Sequence, residues 1–193
     1  MGLVVFGAMA LYLIVSIAVV AFAARAAKRN GKRPWRWGGG AALVMYLLVF
    51  WDHIPTIVAH KLNCDKEAGF WIYKSPDAWK VDNPGVMETL TTPKIWQHDF
   101  SGGGGVVHIN QRFDLIYKKE KLLFLHQWRW QRELVDIKNS EVLARYVDFS
   151  TGNGLIGGEP EFRFWLHRDG CMDGKDNAIK FGQLTIQVKG KEK

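Results

Sequence analysis

From Leu3 to Ala24 the chain carries no charged side chain, and its only polar ones are Tyr12 and Ser16. An α-helix rises about 1.5 Å per residue, so crossing ~30 Å of hydrocarbon takes about 20 apolar residues, which this run supplies. A helix in a soluble core normally keeps a polar stripe, whereas this one is apolar all round. Gly7, Ala8 and Ala10, then Ala18, Ala21 and Ala24, offer small surfaces on which a second helix can pack closely. A cleaved signal peptide carries its positive charge ahead of the apolar stretch; here the charge follows, which favours uncleaved insertion. Ala21-Phe22-Ala23 has the small-residue form of a cleavage site. Cutting there, however, would leave a strongly basic N-terminus on the far side of the membrane, the unfavoured side.

A second apolar run extends from Gly38 to Ala59, broken only by Asp52 and His53. Gly38 to Trp51 is short for a span, so the tail Ile54 to Ala59 is expected to complete the helix, with a kink at Pro55. Between the two runs lie Arg25, Lys28, Arg29, Lys32, Arg33 and Arg36, with no acid among them. Cations so close to both helices place the loop on the cytoplasmic side and both termini outside, with Trp35 and Trp37 as interfacial anchors. The predicted organisation is a transmembrane helical hairpin over residues 1–60 (helices about 3–24 and 38–59, basic loop 25–37) and an outer domain over 61–193.

That loop explains the charge of the chain. The formal net charge is +7, but from Lys61 onward 20 Lys and Arg face 18 Asp and Glu. A nearly neutral outer domain argues against nucleic-acid binding. Asp52 and His53 are ionisable groups near the outer end of the second helix, a position that marks a functional candidate. They are read as an interfacial pair that docks on the domain or on a partner subunit. One Asp and one His make too short a chain for a proton relay.

Beyond Lys61 the composition is that of a globular domain holding both cysteines, Cys64 and Cys171. In an oxidising compartment two such cysteines predict a disulfide, the alternative being two unpaired thiols. Gly69 to Lys74 reads as a strand; Ser75-Pro76 then opens a short helix, and Asn83-Pro84-Gly85 stops it. Val86 to Leu90 reads as another helical turn, and Ser101 to Gly105 as a flexible break that lacks the lysine of a phosphate loop. Val106 to Tyr117 alternates, with Val107, Ile109, Phe113, Leu115 and Tyr117 on one face and His108, Asn110, Arg112 and Asp114 on the other. Lys118 to Lys121 reads as a charged hairpin turn. Leu122 to Ile137, Glu141 to Phe149, Glu161 to His167 and Ala178 to Val188 complete the strands. The expected fold class is a membrane α-helical hairpin plus an α+β outer domain, mainly an antiparallel twisted or curled sheet with one or two short helices.

No reactive constellation stands out. His98, His108, His126 and His167 lack metal-ligand spacing, although His108 and His126 would be neighbours across a turn at Lys118–Lys121. Ser101, Ser140 and Ser150 lack a nucleophile-elbow context, and Glu159 and Glu161 flank a proline in a loop. We therefore expect no catalytic residue, metal or cofactor. The most distinctive segment is Trp128-Arg129-Trp130-Gln131-Arg132. On a strand Trp128, Trp130 and Arg132 share a face. That face is either a gripping surface for a partner, as Trp and Arg often are, or two core tryptophans with an arginine at the rim.

The stretch from Trp51-Asp52-His53-Ile54-Pro55-Thr56 to Cys64, with Ala68 to Lys74 and Asp82-Asn83-Pro84-Gly85, resembles small bacterial inner-membrane proteins with two N-terminal transmembrane helices and a periplasmic domain. The resemblance implies a bacterial envelope protein and brings no known activity. Three functions follow as expectations. The first is a non-enzymatic protein of the inner membrane whose periplasmic domain binds a protein partner, as accessory subunit of a membrane complex or as an oligomer. The second is an immunity or exclusion protein that intercepts a toxin or conjugation partner in the periplasm. The third is a membrane-tethered periplasmic enzyme or ligand sensor.

Overall fold

The computed structural model describes residues 2–93, 98–101, 103–122, 127–152, 164–168 and 170–192. The chain divides into two compact units, Met1–Pro55 and Thr56–Lys193.

In the first unit, helix α1 (Gly2–Arg29) is followed by α2 (Pro34–Phe50). α1 is long and apolar enough to cross a membrane. It runs past the expected end at Ala24 because nothing in Arg25 to Arg29 breaks a helix, so three of the loop cations, Arg25, Lys28 and Arg29, form its last turns. Pro34 then starts α2 at the first helical position, where its missing N–H costs nothing. The two helices pack as the small residues suggested. A Cβ on Gly38 would lie 3.4 Å from Cβ of Ala24, and the Tyr12 hydroxyl donates to the Met45 carbonyl. Lys32 lies over the Trp37 ring at 4.8 Å and Arg36 over Trp35 at 5.5 Å.

The second apolar run is not one helix to Ala59. α2 ends at Phe50, and α3 (His53–Glu67) departs from it at 63°. The break falls at Trp51–Asp52 and not at Pro55, which sits in the first turn of α3 where proline is tolerated. By itself α2 has 17 residues; only the bent pair taken together reaches the length and apolarity of a span.

The second unit is built on a six-stranded antiparallel sheet in the order β1-β7-β6-β5-β4-β3. Its strands are β1 (Gly69–Ile72), β3 (His98–Ser101), β4 (Gly104–His108), β5 (Phe113–Leu122), β6 (Gln127–Asp136) and β7 (Glu141–Thr151). A short parallel pair, β2 (Thr91–Thr92) with β8 (Lys191–Glu192), lies apart. Ser75 caps α4 (Pro76–Asp82) by accepting the Ala78 N–H, and Met87–Thr89 makes a 3-10 turn, both as expected.

Five local expectations change. The alternation from Val106 to Tyr117 spans a hairpin: Val107 pairs with Leu115, and Ile109 donates to the Phe113 carbonyl. A tight turn returns odd positions to the same face, so Val107, Ile109, Phe113 and Leu115 are all buried and alternation alone cannot reveal the reversal. Asn110 closes the turn by accepting the N–H groups of Arg112 and Phe113. The Lys118–Lys121 run, expected to turn, is mid-strand. Ser101 and Gly104 to Gly105, expected in a flexible break, are paired strand residues of β3 and β4, with Gly103 between the strands at φ +105°. Finally Ala178 to Val188 lies almost wholly in helix α5 (Gly174–Gln187), because Phe181, Leu184, Thr185 and Val188 are buried at helical spacing. Phe164–Leu166, expected in a strand, is a 3-10 turn, and 161–163 lie outside the described residues.

One face of the sheet carries the core, where Trp79 of α4 meets Phe113 (4.8 Å) and Phe181 of α5 meets Phe70 (6.0 Å). Asn110, Arg112 and Asp114, expected on a polar face, are all buried. Arg112 Nε lies 2.6 Å from Asp136 Oδ1, and Trp79 Nε1 donates to Asp136 Oδ2 at 2.8 Å. Burial pushes the Asp136 carboxyl up, but the Arg112 and Trp79 hydrogen bonds outweigh it and hold it below the ordinary range. The expected disulfide is present: Cys64 of α3 is bonded to Cys171, with Cα atoms 5.5 Å apart.

Candidate partner-binding face

The Trp-Arg-Trp segment lies in β6, between β5 and β7, and successive rungs bring four kinds of side chain together. Lys121 pairs with Trp128 and Ser150, Lys119 with Trp130 and Asp148, Tyr117 with Arg132 and Tyr146, Leu115 with Leu134 and Ala144. Along this one face the environment grades from fully buried Leu134 to Trp130, which is 38% exposed. The core ends at the tyrosine rung. Thus the two tryptophans lie beyond the core and Arg132 is nearer to it, the reverse of a buried tryptophan pair with a rim arginine.

The odd residues of β6 face the other way and fasten α3. Buried Gln127 donates to the Thr56 carbonyl at 3.2 Å and accepts from Asn63 at 2.7 Å. Arg129 lies 3.7 Å from Glu67. Farther along, Glu133 is held by Arg145 at 2.7 Å and Lys118 at 3.4 Å, which outweigh its burial and keep its carboxyl below the ordinary range. Attaching α3 through the odd residues leaves the even ones to form the candidate face.

On that face cations and rings are interleaved. Lys119 Nζ is 4.3 Å from the centre of the Trp128 ring and 4.6 Å from that of Trp130, with Lys121 Nζ 5.7 Å from Trp128. The Arg132 guanidinium lies between Tyr117 (5.5 Å) and Tyr146 (5.6 Å). Such contacts contribute about 0.5–1 kcal/mol each at half-exposed sites. Trp130 is fixed by donating its indole N–H to Ser150 Oγ at 2.8 Å. Burial raises both tyrosine hydroxyls, Tyr117 against the pull of Arg132 and Tyr146 reinforced by Asp148, so they stay neutral.

Asp148 is the acid on these rungs, and it is engaged elsewhere. Its Oδ2 accepts from the Tyr146 hydroxyl at 2.9 Å, and its Oδ1 from the N–H groups of Phe149 and Cys171, each at 2.8 Å. The carboxylate packs on Gly174, where a Cβ would lie 2.7 Å from Oδ2. Among the described residues no acid comes within ion-pair distance of Lys119, Lys121 or Arg132. The arrangement presents an aromatic platform carrying cations that no acid among the described residues neutralises.

No family model, curated protein or solved structure matches the chain. The residues themselves must therefore carry the functional argument.

The other sequence candidates are dispersed. Asp52 and His53 belong to the first unit; Asp52 is 1% exposed, and His53 Nδ1 is 3.0 Å from the Tyr46 hydroxyl. His108 pairs with Asp114 at 2.7 Å on the opposite face of the sheet. His98 is in β3, while His126, Glu159 and Glu161 lie outside the described residues. Ser140 forms a turn with φ +54°, and Ser150 serves Trp130. Among the described residues no three His, Cys, Asp or Glu side chains are grouped to hold a metal. Lys119, Lys121, Tyr117 and Tyr146 escaped the sequence reading of this face. Extending the odd-numbered alternation through Tyr117, Lys119 and Lys121 is the signal that would have found the first three.

Proposed function

We propose that the chain is a non-enzymatic envelope protein, anchored by α1 and α2 in a bacterial inner membrane, whose periplasmic domain binds a protein partner as accessory subunit of a membrane complex. The cations from Arg25 to Arg36 support a cytoplasmic loop with both termini outside. α1 is long and apolar enough to span, and α2, 17 residues from Pro34, packs against it. The Cys64–Cys171 disulfide fits an oxidising compartment.

The observation that carries the reading is the half-exposed Trp128, Trp130 and Arg132 cluster on the sheet face that the core helices leave uncovered. Trp and Arg held rigidly in this way lose little conformational freedom on binding, which is the character of an interface hot spot. Affinity purification of the full chain in mild detergent, followed by mass spectrometry, tests it. Stable co-purification of membrane-complex subunits, lost in Trp130→Ala, is expected; recovery of the chain alone sinks the reading.

A further inference from the structure

We propose that the partner presents an acidic segment, whose carboxylates neutralise Lys119, Lys121 and Arg132 on the β5–β6–β7 face; the proposal rests on the partner-binding reading above. Charge complementarity selects such a partner. These cations cluster within three successive rungs, and Asp148, the acid on those rungs, spends its lone pairs on Tyr146, Phe149 and Cys171. Elsewhere in the same domain a guanidinium stacked on an aromatic ring has its carboxylate: Arg112 lies 5.4 Å from the Trp79 ring and 2.6 Å from Asp136. Arg132 has the rings but lacks an acid among the described residues. A guanidinium fork and a fixed ammonium suit carboxylates in particular geometry.

A lipid surface fits less well. Tryptophans at a bilayer interface turn the indole N–H to water or headgroups. Here Lys119 caps both rings and the Trp130 N–H is tied to Ser150, so the pair serves to hold a cation in place. Lys119 is thereby held at a defined point, where a partner's carboxylate gains charge attraction at low ordering cost.

The test uses the full chain in native membranes and a carbodiimide, which joins a lysine amine to a carboxylate by an amide bond. Mass-spectrometric mapping is expected to find Lys119 or Lys121 joined to Asp or Glu in an acid-rich segment of another protein. Arg132→Glu leaves both amines in place and is expected to lower that yield about tenfold or more by repelling the acid. A charge-blind photo-crosslinker, p-benzoylphenylalanine in place of Trp128, separates the two readings. If it captures a partner while the lysines couple to nothing, the acidic segment is overturned and the partner-binding reading stands. If neither reagent captures a protein, both readings fall. Flotation of the nanodisc-embedded chain with phosphatidylglycerol vesicles, abolished by Lys119→Glu, would assign the face to lipid and overturn the proposal.

Discussion

Two clusters of cations on aromatic rings lie at opposite ends of one face of the sheet. At one end Arg112 and Asp136 are 8% and 0% exposed, and Trp79 and Asn83 complete the hydrogen bonds of the pair. At the other, Lys119, Lys121 and Arg132 rest on two tryptophans and two tyrosines beside an acid turned away from them. The ingredients are nearly the same. The difference is whether a counter-charge and a cover are supplied: where Asp136 of β6 gives the one and Trp79 of α4 the other, the cluster becomes structure, and where the described residues give neither, it is left with a charge to satisfy.

The largest expected effect is on the tie that keeps Asp148 occupied. Replacing both cysteines by serine frees the Cys171 turn, and opening a loop with sequence separation 107 is expected to cost about 4–5 kcal/mol on the chain-entropy account, read from urea unfolding of the full chain in detergent. Breaking the buried cluster by Asp136→Asn leaves Arg112 buried against a neutral group, and a loss of about 3–5 kcal/mol is expected. Arg132→Ala should cost only about 1 kcal/mol or less. Equal losses for Asp136→Asn and Arg132→Ala would dissolve the contrast between the clusters.

Acid should sharpen the same contrast. With its folded pKa depressed, Asp136 contributes stability that is present above its ordinary value of about 3.8 and lost as pH falls through the folded pKa. His60 behaves alike at higher pH. Burial, then the charge of Arg168, holds its pKa below the ordinary 6.5 against the pull of Asp148, so its contribution is full above 6.5 and shrinks as pH drops toward the folded value. Thermal unfolding of the full chain between pH 7 and 5 should show a decline that His60→Gln flattens. The smallest effect is expected for Trp130→Phe, which removes one hydrogen bond at a half-exposed site and should shift stability by about 0.5 kcal/mol, the low end for such a bond.

Much of the local architecture was legible. The uncharged run, the Ser75-Pro76 start of α4 and the strands at Gly69 and Glu141 follow from hydrophobic length, capping chemistry and alternation, all local properties. The misreadings share a cause. At Ile109–Arg112 a hairpin preserves the alternation of a single strand; Lys118–Lys121 looks like a turn only because charge is taken as solvent exposure, although lysine stems lie well along a strand beside tryptophan rings. The strand expected from Ala178 to Val188 gives way to helix α5, because Phe181, Leu184, Thr185 and Val188 are buried at helical spacing. The candidate face was half legible: Trp128, Trp130 and Arg132 announce themselves, but their lysine and tyrosine neighbours come from other strands.

The sequence by itself determined that α1 is apolar enough to cross a membrane, that most of the excess positive charge lies in Arg25–Arg36, and that the residues from Lys61 onward are nearly neutral and sheet-rich. Hydrophobic length and side-chain charge are properties of a segment and need no partner. Only the tertiary structure decided that Arg112 meets an acid while Arg132 meets none among the described residues, that Asp148 turns from the tryptophans toward Cys171, and that the chain bends before α3. Each depends on which residues strand register and helix packing place side by side, over separations that no local pattern encodes.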